Sequence, residues 1–479
     1  MNYRMIGYLL GVILIIEAAL LLLPAAVALG YGENVAPFLI TIGILLVISL
    51  PNIIFKPKNK RIFAREGFIT VAAGWILMSL FGALPFTLDG AIPRYVDAFF
   101  ETVSGFTTTG ATILSEIESL PRGILFWRSL THWIGGMGVL VFMLAILPSA
   151  NGETMHLMRA EVPGPTKGKL VPKMRHTALI LYSIYVALTV IMIFALLLCK
   201  MPIYDAVVTS FATAGTGGFA VLNNSIAGYN NPAAEWVIAI FMMLFGINFN
   251  LYFFILIGKI KDVFKSGELR TYLAIAAVAT IATTINIAST FNNMSDAIRA
   301  AFFQVMSIMS TTGFSTVDFN LWPALSRTII IILMFIGACA GSTAGGLKVS
   351  RVIILFKSIK CEIRRVLRPN SVNVVRLDGD VVPDDTVHSV TRYFTIYMAI
   401  FLASVLIISV DGFSFETNFT AALACINNVG PGLGVVGPMG NFLGYSDLST
   451  IILSLTMLIG RLEIMPMIIL FSPFAWKKR

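Results

Sequence analysis

Ten apolar runs dictate the architecture before any single residue is considered. Each is close to the roughly 20 residues an α-helix needs to cross a bilayer. They cover residues 5–30, 37–55, 67–84, 126–147, 178–199, 234–257, 272–288, 328–355 (interrupted), 393–410 and 448–471. Only 12% of the 479 residues are charged and 57% are hydrophobic. A soluble domain carries about 25% charged residues, so this chain lacks the polar surface to cover a globule of its size. A β-barrel would alternate in segments of about ten residues. The expectation is an all-α polytopic membrane protein.

The net charge of +9 does not point to nucleic acid, because the basic residues sit in short clusters between apolar spans. An even number of spans puts both termini on one side. With the termini cytoplasmic, the inner segments 1–4, 56–66, 150–177, 258–271, 348–392 and 477–479 hold 27 of the 34 Lys and Arg residues, as the positive-inside rule requires. The outer connections are acidic instead, with Glu33, Asp89, Asp97, Glu116, Glu118, Asp205, Glu235, Asp296, Asp318, Asp411 and Asp447. Acidic mouths attract cations. The four cysteines lack CxxC spacing and read as free thiols.

From the third span onward each outward connection is long and semi-apolar, about 35 to 45 residues. The last eight spans therefore form four pairs, which predicts repeats. The first outer segment reads Phe99-Phe100-Glu101-Thr102-Val103-Ser104-Gly105-Phe106-Thr107-Thr108-Thr109-Gly110. The third reads Phe302-Phe303-Gln304-Val305-Met306-Ser307-Ile308-Met309-Ser310-Thr311-Thr312-Gly313, without a gap. The second ends in Thr213-Ala214-Gly215 and the fourth in Asn427-Asn428-Val429-Gly430. In each, an apolar stretch too short to span ends in small residues and a glycine. That pattern predicts a re-entrant half-helix. Irregular backbone at membrane depth is tolerated only where it lines a water-filled cavity. Four such loops supply rings of carbonyls able to replace an ion's hydration shell.

The eighth span is interrupted by small residues only, from Gly337 to Gly346. Glycine-rich backbone breaks a helix at mid-membrane, although small residues also serve close helix packing. Arg461 lies about 20 Å into the last span, where a charge must face the bundle interior. Its structural alternative is a bond to Glu463 or to a loop carbonyl. His132, Trp133 and Arg128 sit near the outer end of the second helix of the first repeat. Trp133 reads as an interface or packing aromatic, and His132 as a packing residue rather than a proton relay. The mid-membrane titratable inventory (Glu17, Arg461 and Glu463) is too poor for a membrane enzyme, and no metalloprotease, nucleophile-elbow or phosphate-loop motif occurs.

These residues together resemble the Trk/Ktr/HKT superfamily of potassium transporters. Arg128…Trp133-Ile134-Gly135-Gly136-Met137-Gly138 resembles the second helix of the first repeat. Gly337-Ala338-Cys339-Ala340-Gly341-Ser342-Thr343-Ala344-Gly345-Gly346-Leu347-Lys348 resembles the intramembrane gating loop. Asn428-Val429-Gly430-Pro431-Gly432-Leu433-Gly434 resembles the fourth filter, and Gly460-Arg461-Leu462-Glu463 the last helix. The resemblance covers about residues 65–479, and two extra N-terminal helices are similar to the TrkH branch.

The resemblance implies four helix–pore-loop–helix repeats around a central pore. Their expected boundaries are 1–64 for the two N-terminal helices and 65–152, 153–265, 266–370 and 371–479 for the repeats. It implies a selectivity filter, holding K⁺ as cargo with no cofactor in this chain, at Thr108, Thr109, Gly110, Thr213, Ala214, Gly215, Thr311, Thr312, Gly313, Asn428, Val429 and Gly430. Gly217 is the alternative glycine of the second loop. It implies a gate at Gly337, Gly341, Gly345, Gly346, Lys348 and Arg461. It also implies a homodimer in a prokaryotic cell membrane and a cytosolic ring of nucleotide-binding, TrkA-like regulatory subunits. A Na⁺-selective or cation–proton coupled carrier is the alternative within the same fold.

Overall fold

The computed structural model describes residues 1–55, 57, 62–138, 174–370, 373–378 and 380–476. Six helices among them are long and apolar enough to cross a membrane without interruption. The pair α1 (Tyr3–Leu20) and α2 (Leu22–Tyr31) forms one span, and α3 (Ala36–Ile54) the second. A third runs through α4 (Ala64–Gly82) and the short α5 (Leu84–Asp89). The chain then forms α6 (Tyr95–Phe106), α7 (Arg122–Met137), α8 (Met174–Leu198) and α9 (Ile203–Gly215). Next come α10 (Pro232–Phe245), α11 (Phe249–Leu256), α12 (Ile260–Lys265) and α13 (Gly267–Ile287). The last third holds α14 (Met294–Met309), α15 (Ala324–Ile336), α16 (Val349–Leu367), α17 (Asp384–Ile408), α18 (Phe415–Ile426), α19 (Asp447–Arg461) and α20 (Met465–Phe471). A two-strand antiparallel hairpin, β1 (Arg376–Leu377) with β2 (Asp380–Val381), sits between α16 and α17.

Three of the apolar runs are broken rather than continuous. The run 328–355 breaks between α15 and α16, as its small residues predict. The run 234–257 bends by 91° between α10 and α11. There Asn248 leaves the helix and its side chain accepts the Asn250 N–H, starting a new one. The run 448–471 breaks after Arg461, where Glu463 and Ile464 adopt left-handed backbone. Hydropathy alone does not report these breaks. The apolar content continues through them, and the freed polar groups are paired inside the protein. The fourth run, 126–147, passes out of the described residues after Gly138.

Four units repeat one arrangement: a first long helix of 19 to 25 residues, a short helix of 12 to 16 residues that stops partway, a loop, and a closing helix of 13 to 16 residues, here called the second long helix for its place in the unit. They are α4–α6–α7, α8–α9–α10, α13–α14–α15 and α17–α18–α19. The second long helix of each unit packs on the short helix of the next, giving α7 on α9, α10 on α14 and α15 on α18. The last, α19, packs on α6 and closes the ring. Helices α1–α3 lie outside it, against α4, α5 and α7. The short helices are buried nearly all round, as are Thr107, Thr108, Thr109, Thr213, Thr216, Ser310, Thr311, Thr312, Asn427 and Asn428 at their ends. The fold thus gathers its small polar residues on the ring axis. All four cysteines are free.

Candidate ion pathway

Each short helix ends in the same hydrogen-bonded turn. The N–H groups of Thr109, Gly217, Thr312 and Val429 donate to the carbonyls of Ser104, Ala212, Ser307 and Ala424 at 2.8–2.9 Å. The preceding N–H groups, of Thr108, Thr216, Thr311 and Asn428, donate to Gly105, Thr213, Ile308 and Cys425. This is the Schellman closure, whose hinge residue must be left-handed. The hinge residues are Thr108, Thr216, Thr311 and Asn428, with φ of 55°, 56°, 57° and 53°. Glycine usually fills this place, and a β-branched residue there is strained. Three threonines held so are over-determined by their surroundings, the mark of a functional position.

Two residues after the left-handed residues' first members stand Gly110, Gly218, Gly313 and Gly430, all at positive φ. A Cβ on Gly110 would run into the carbonyl oxygen of Gly217. One on Gly218 would meet that of Thr312, one on Gly313 that of Val429, and one on Gly430 that of Thr109. Each contact would fall under 3.0 Å. The four glycines and four carbonyls form a closed cycle through all four units, with room for backbone only. Above it lies a cavity of about 150 Å³ lined by all four glycines.

The structure corrects the second loop. Thr213, Ala214 and Gly215 lie in the last turn of α9, three positions too early. Gly215 is small because α7 crosses there, and its Cβ would strike the His132 carbonyl. The alternative, Gly217, is the counterpart of Thr109, and its missing side chain makes room for the His132 ring. The matching triplet is Thr216, Gly217 and Gly218. Both Thr213-Ala214-Gly215 and Thr216-Gly217-Gly218 fit the Thr/Asn-x-Gly pattern of the other three loops, so the pattern alone does not choose between them. The other three triplets, at Thr108–Gly110, Thr311–Gly313 and Asn428–Gly430, occupy equivalent places. Two of them share a further detail: Thr107 Oγ1 bonds Thr109 Oγ1, and Ser310 Oγ bonds Thr312 Oγ1, both at 2.7 Å.

A buried ion pair braces the first two loops. Arg128 Nε donates to Glu101 Oε1 at 2.6 Å. Glu101 also accepts from the Ile113 N–H and the Thr112 hydroxyl. Arg128 donates to the Ala220 carbonyl and lies 3.6 Å over the Phe219 ring. Removing one side of such a pair costs about 3–5 kcal/mol, so it fixes the two loops relative to one another. Sequence reasoning missed Glu101, and gave Arg128 no role beyond its place in the family motif. The signal was an acid seven residues before the strained threonine, at the position that Gln304 holds in the third repeat.

The segment from Gly337 to Lys348 is irregular and lies against the inner side of the ring. Gly337, Gly341, Gly346 and Lys348 have positive φ. The Gly345 N–H donates to Thr311 Oγ1 at 2.7 Å, and a Cβ on Gly345 would hit the Asn427 carbonyl. The segment is tied down elsewhere by backbone bonds. Cys339 N–H donates to Gly246, and Phe249 N–H donates to Gly341, both at the bend between α10 and α11. Glu268, in the first turn of α13, accepts from the N–H of Ala340 at 2.7 Å and of Ser350 at 3.1 Å. Lys348 Nζ donates to the Ala344 carbonyl of the same segment.

Arg461 does not pair with Glu463. Its guanidinium donates to the Thr343 carbonyl at 2.7 Å, and to those of Gly135 and Gly136 at 2.6 and 2.9 Å. The last two cap the C-terminal, electronegative end of α7. Glu463 pairs instead with Arg351, whose guanidinium lies 4.1 Å over the Tyr393 ring. Arg461 therefore joins the first repeat, the irregular segment and the last helix. Among the described residues no three His, Cys, Asp or Glu side chains cluster as a metal site.

A family profile, TrkH, described as cation transport protein, matches residues 38–478. The chain belongs to the TrkH family. This is a family of transport proteins, not of enzymes. The Trk system potassium uptake protein TrkH of Salmonella typhimurium is 36% identical over 490 aligned positions, covering all of both chains. The Trk system potassium uptake protein TrkG of Escherichia coli K12 is 34% identical over 99% of each chain. The crystal structure of the potassium transporter TrkH from Vibrio parahaemolyticus matches with a TM-score of 0.88 at 31% identity, over 100% of each chain. The TrkH-family architecture, four helix–pore-loop–helix repeats and additional N-terminal helices in a multi-pass membrane protein, is the one described above.

Proposed function

We propose that this chain takes up K⁺ across a prokaryotic cell membrane through the axis of the four-unit ring. The observation that carries this reading is the closed cycle in which each unit's glycine faces the next unit's carbonyl. Such rings replace the hydration shell of a K⁺ ion, and the relatives named above are potassium uptake proteins. The filter comprises Thr108–Gly110, Thr216–Gly218, Thr311–Gly313 and Asn428–Gly430. The short helices direct their electronegative C-terminal ends at it. The repeats divide near residues 65, 153, 266 and 371, and the termini are cytoplasmic on the count of Lys and Arg.

Proteoliposomes loaded with K⁺ test the reading. Uptake of ⁸⁶Rb⁺ should exceed that of ²²Na⁺ by at least about tenfold, a difference of about 1.4 kcal/mol. Equal uptake of both would overturn it; ²²Na⁺ uptake above that of ⁸⁶Rb⁺, or uptake that follows an imposed proton gradient, would overturn it in favour of a Na⁺-selective or proton-coupled carrier. Gly110→Ser adds a side chain where the Gly217 carbonyl stands, and should lower the Rb⁺/Na⁺ ratio while leaving the protein inserted. An unchanged ratio removes the first loop from the filter.

The segment 337–348 and Arg461 close the path below the filter. Opening falls to a cytosolic ring of nucleotide-binding subunits acting on a homodimer of this chain. The basic inner loops supply its docking charge. Of these, 348–392 is largely described, whereas Lys167 and Lys169 in 150–177 lie outside the described residues. Charge reversal at Arg364 and Arg365, both exposed on α16, should weaken pull-down of a TrkA-type subunit, more so at low salt than at high. Undiminished binding would move the docking surface elsewhere.

A further inference from the structure

A cavity of about 470 Å³ opens at the inner end of the third repeat. Its wall gathers four cations from separate parts of the chain: Lys265 at the end of α12, Arg270 in α13, Lys357 in α16 and Arg376 in β1. Among the described lining residues the only carboxylate is Asp378. It is engaged already, accepting the Gly267 N–H at 2.7 Å. Arg270 donates to the Lys265 carbonyl, and Lys357 Nζ to the Arg376 carbonyl. These bonds hold the basic groups in place without neutralising them. Lys265 has Asp262 at 3.5 Å, an exposed pair of little worth. The wall keeps an excess of positive charge.

Exposed apolar side chains stand next in sequence to two of the basic lining residues. Phe264 and Phe356, the chain neighbours of Lys265 and Lys357, are 67% and 70% exposed. Ile359, Ile363 and Val366 continue an exposed apolar stripe along α16. Positive charge beside exposed aromatic and aliphatic surface, at the inner end of membrane-crossing helices, matches a bilayer's anionic interface.

We propose that this cleft binds the phosphodiester headgroup of an anionic membrane lipid, with its acyl chains along Phe264 and Phe356. A phosphodiester presents one negative charge and two unbridged oxygens, which an arginine fork takes pairwise. A soluble phosphate would meet the same charges but would leave the apolar flank unused. The site adjoins the path described above. Gly267 lines it, and the next residue, Glu268, holds the N–H groups of Ala340, within the irregular segment, and of Ser350, in the first turn of α16. A bound headgroup therefore braces the first turn of α13. This inference needs the chain to cross a membrane, and stands whether or not the filter reading holds.

Native mass spectrometry and thermal melting of the detergent-purified full chain test it, with phosphatidylglycerol, phosphatidylcholine and inorganic phosphate as separate probes. Phosphatidylglycerol should remain bound and raise the melting midpoint; the other two should not. The double substitution Arg270→Gln/Arg376→Gln should weaken phosphatidylglycerol binding about fivefold per charge removed. Lys360→Gln, on the same helix but off the cavity wall, should not. Should the double variant fail to fold, Lys357→Gln alone must still show its fivefold loss. Equal phosphatidylglycerol binding by wild type and cleft variants overturns the proposal, as does equal binding of phosphatidylcholine. Stabilisation by inorganic phosphate alone overturns it in favour of a soluble-anion site.

Discussion

Alanine in place of Gly218 is expected to abolish K⁺-selective flux in protein that still reaches the membrane. Two costs fall on one residue. At φ +77° a Cβ is disfavoured by the backbone itself, by about 1 kcal/mol or more. The same Cβ would overlap the Thr312 carbonyl, which is backbone and cannot swing aside as a side-chain end can. That carbonyl must rotate or retreat, and the ring loses a ligand. A buried polar group deprived of its partner costs about 1–3 kcal/mol; with the backbone cost of about 1 kcal/mol, the expected loss of Rb⁺ flux is at least about thirtyfold. Gly215→Ala provides the contrast. Its Cβ would meet the His132 carbonyl in a helix crossing, so it should lower thermal stability and yield, while the Rb⁺/Na⁺ ratio of the surviving protein stays at the wild-type value. If the two variants exchange these phenotypes, the filter register is Thr213–Gly215 after all.

Alanine in place of Arg461 is expected to raise basal K⁺ flux by about ten- to a hundredfold. A unit charge about 4 Å from a K⁺ ion costs about 4 kcal/mol at an effective dielectric of 20, nearly three decades of occupancy. The substitution also frees the Thr343 carbonyl from its anchor, so the segment 337–348 loses its tie to the last helix. Its other restraints persist at Glu268, Gly246 and Thr311, which keeps the expected gain below the full electrostatic figure. Arg461→Lys separates the two effects. An ammonium keeps the charge but lacks the planar fork that spans three carbonyls. Its flux should stay near wild type if charge closes the path, and approach that of Arg461→Ala if the bridge does. Selectivity should not change in either variant, because the glycine–carbonyl cycle is a separate layer. Wild-type flux in both variants, correctly inserted, would make Arg461 a structural strut only.

Much of this protein is legible along the chain because a bilayer permits so few solutions. Apolar length identifies the unbroken spans, and the Lys and Arg count gives them an expected orientation. The gapless likeness of Phe99–Gly110 and Phe302–Gly313 exposes the repeat. The interruption at Gly337–Gly346 is visible because small residues cannot sustain a helix there. All of these signals are local, and composition reports them.

What needed the folded chain is everything that depends on who faces whom. The second loop carries three glycines within four residues, and local pattern cannot rank them. Packing assigns Gly215 to the α7 crossing, Gly217 to the His132 ring and Gly218 to the Thr312 carbonyl. Arg461 and Glu463 are two residues apart, which invites pairing. A helix break between them turns one toward the carbonyls of Thr343, Gly135 and Gly136, and the other toward Arg351. Glu101 and Glu268 look like stray acids until the ring closes and brings Arg128 and the backbone of Ala340 and Ser350 to them. A buried charge is tolerable only beside its partner, and in this fold those partners lie 27 and 72 residues away along the chain. Sequence spacing carries no trace of such distances, and only the closure of the four-unit ring sets them.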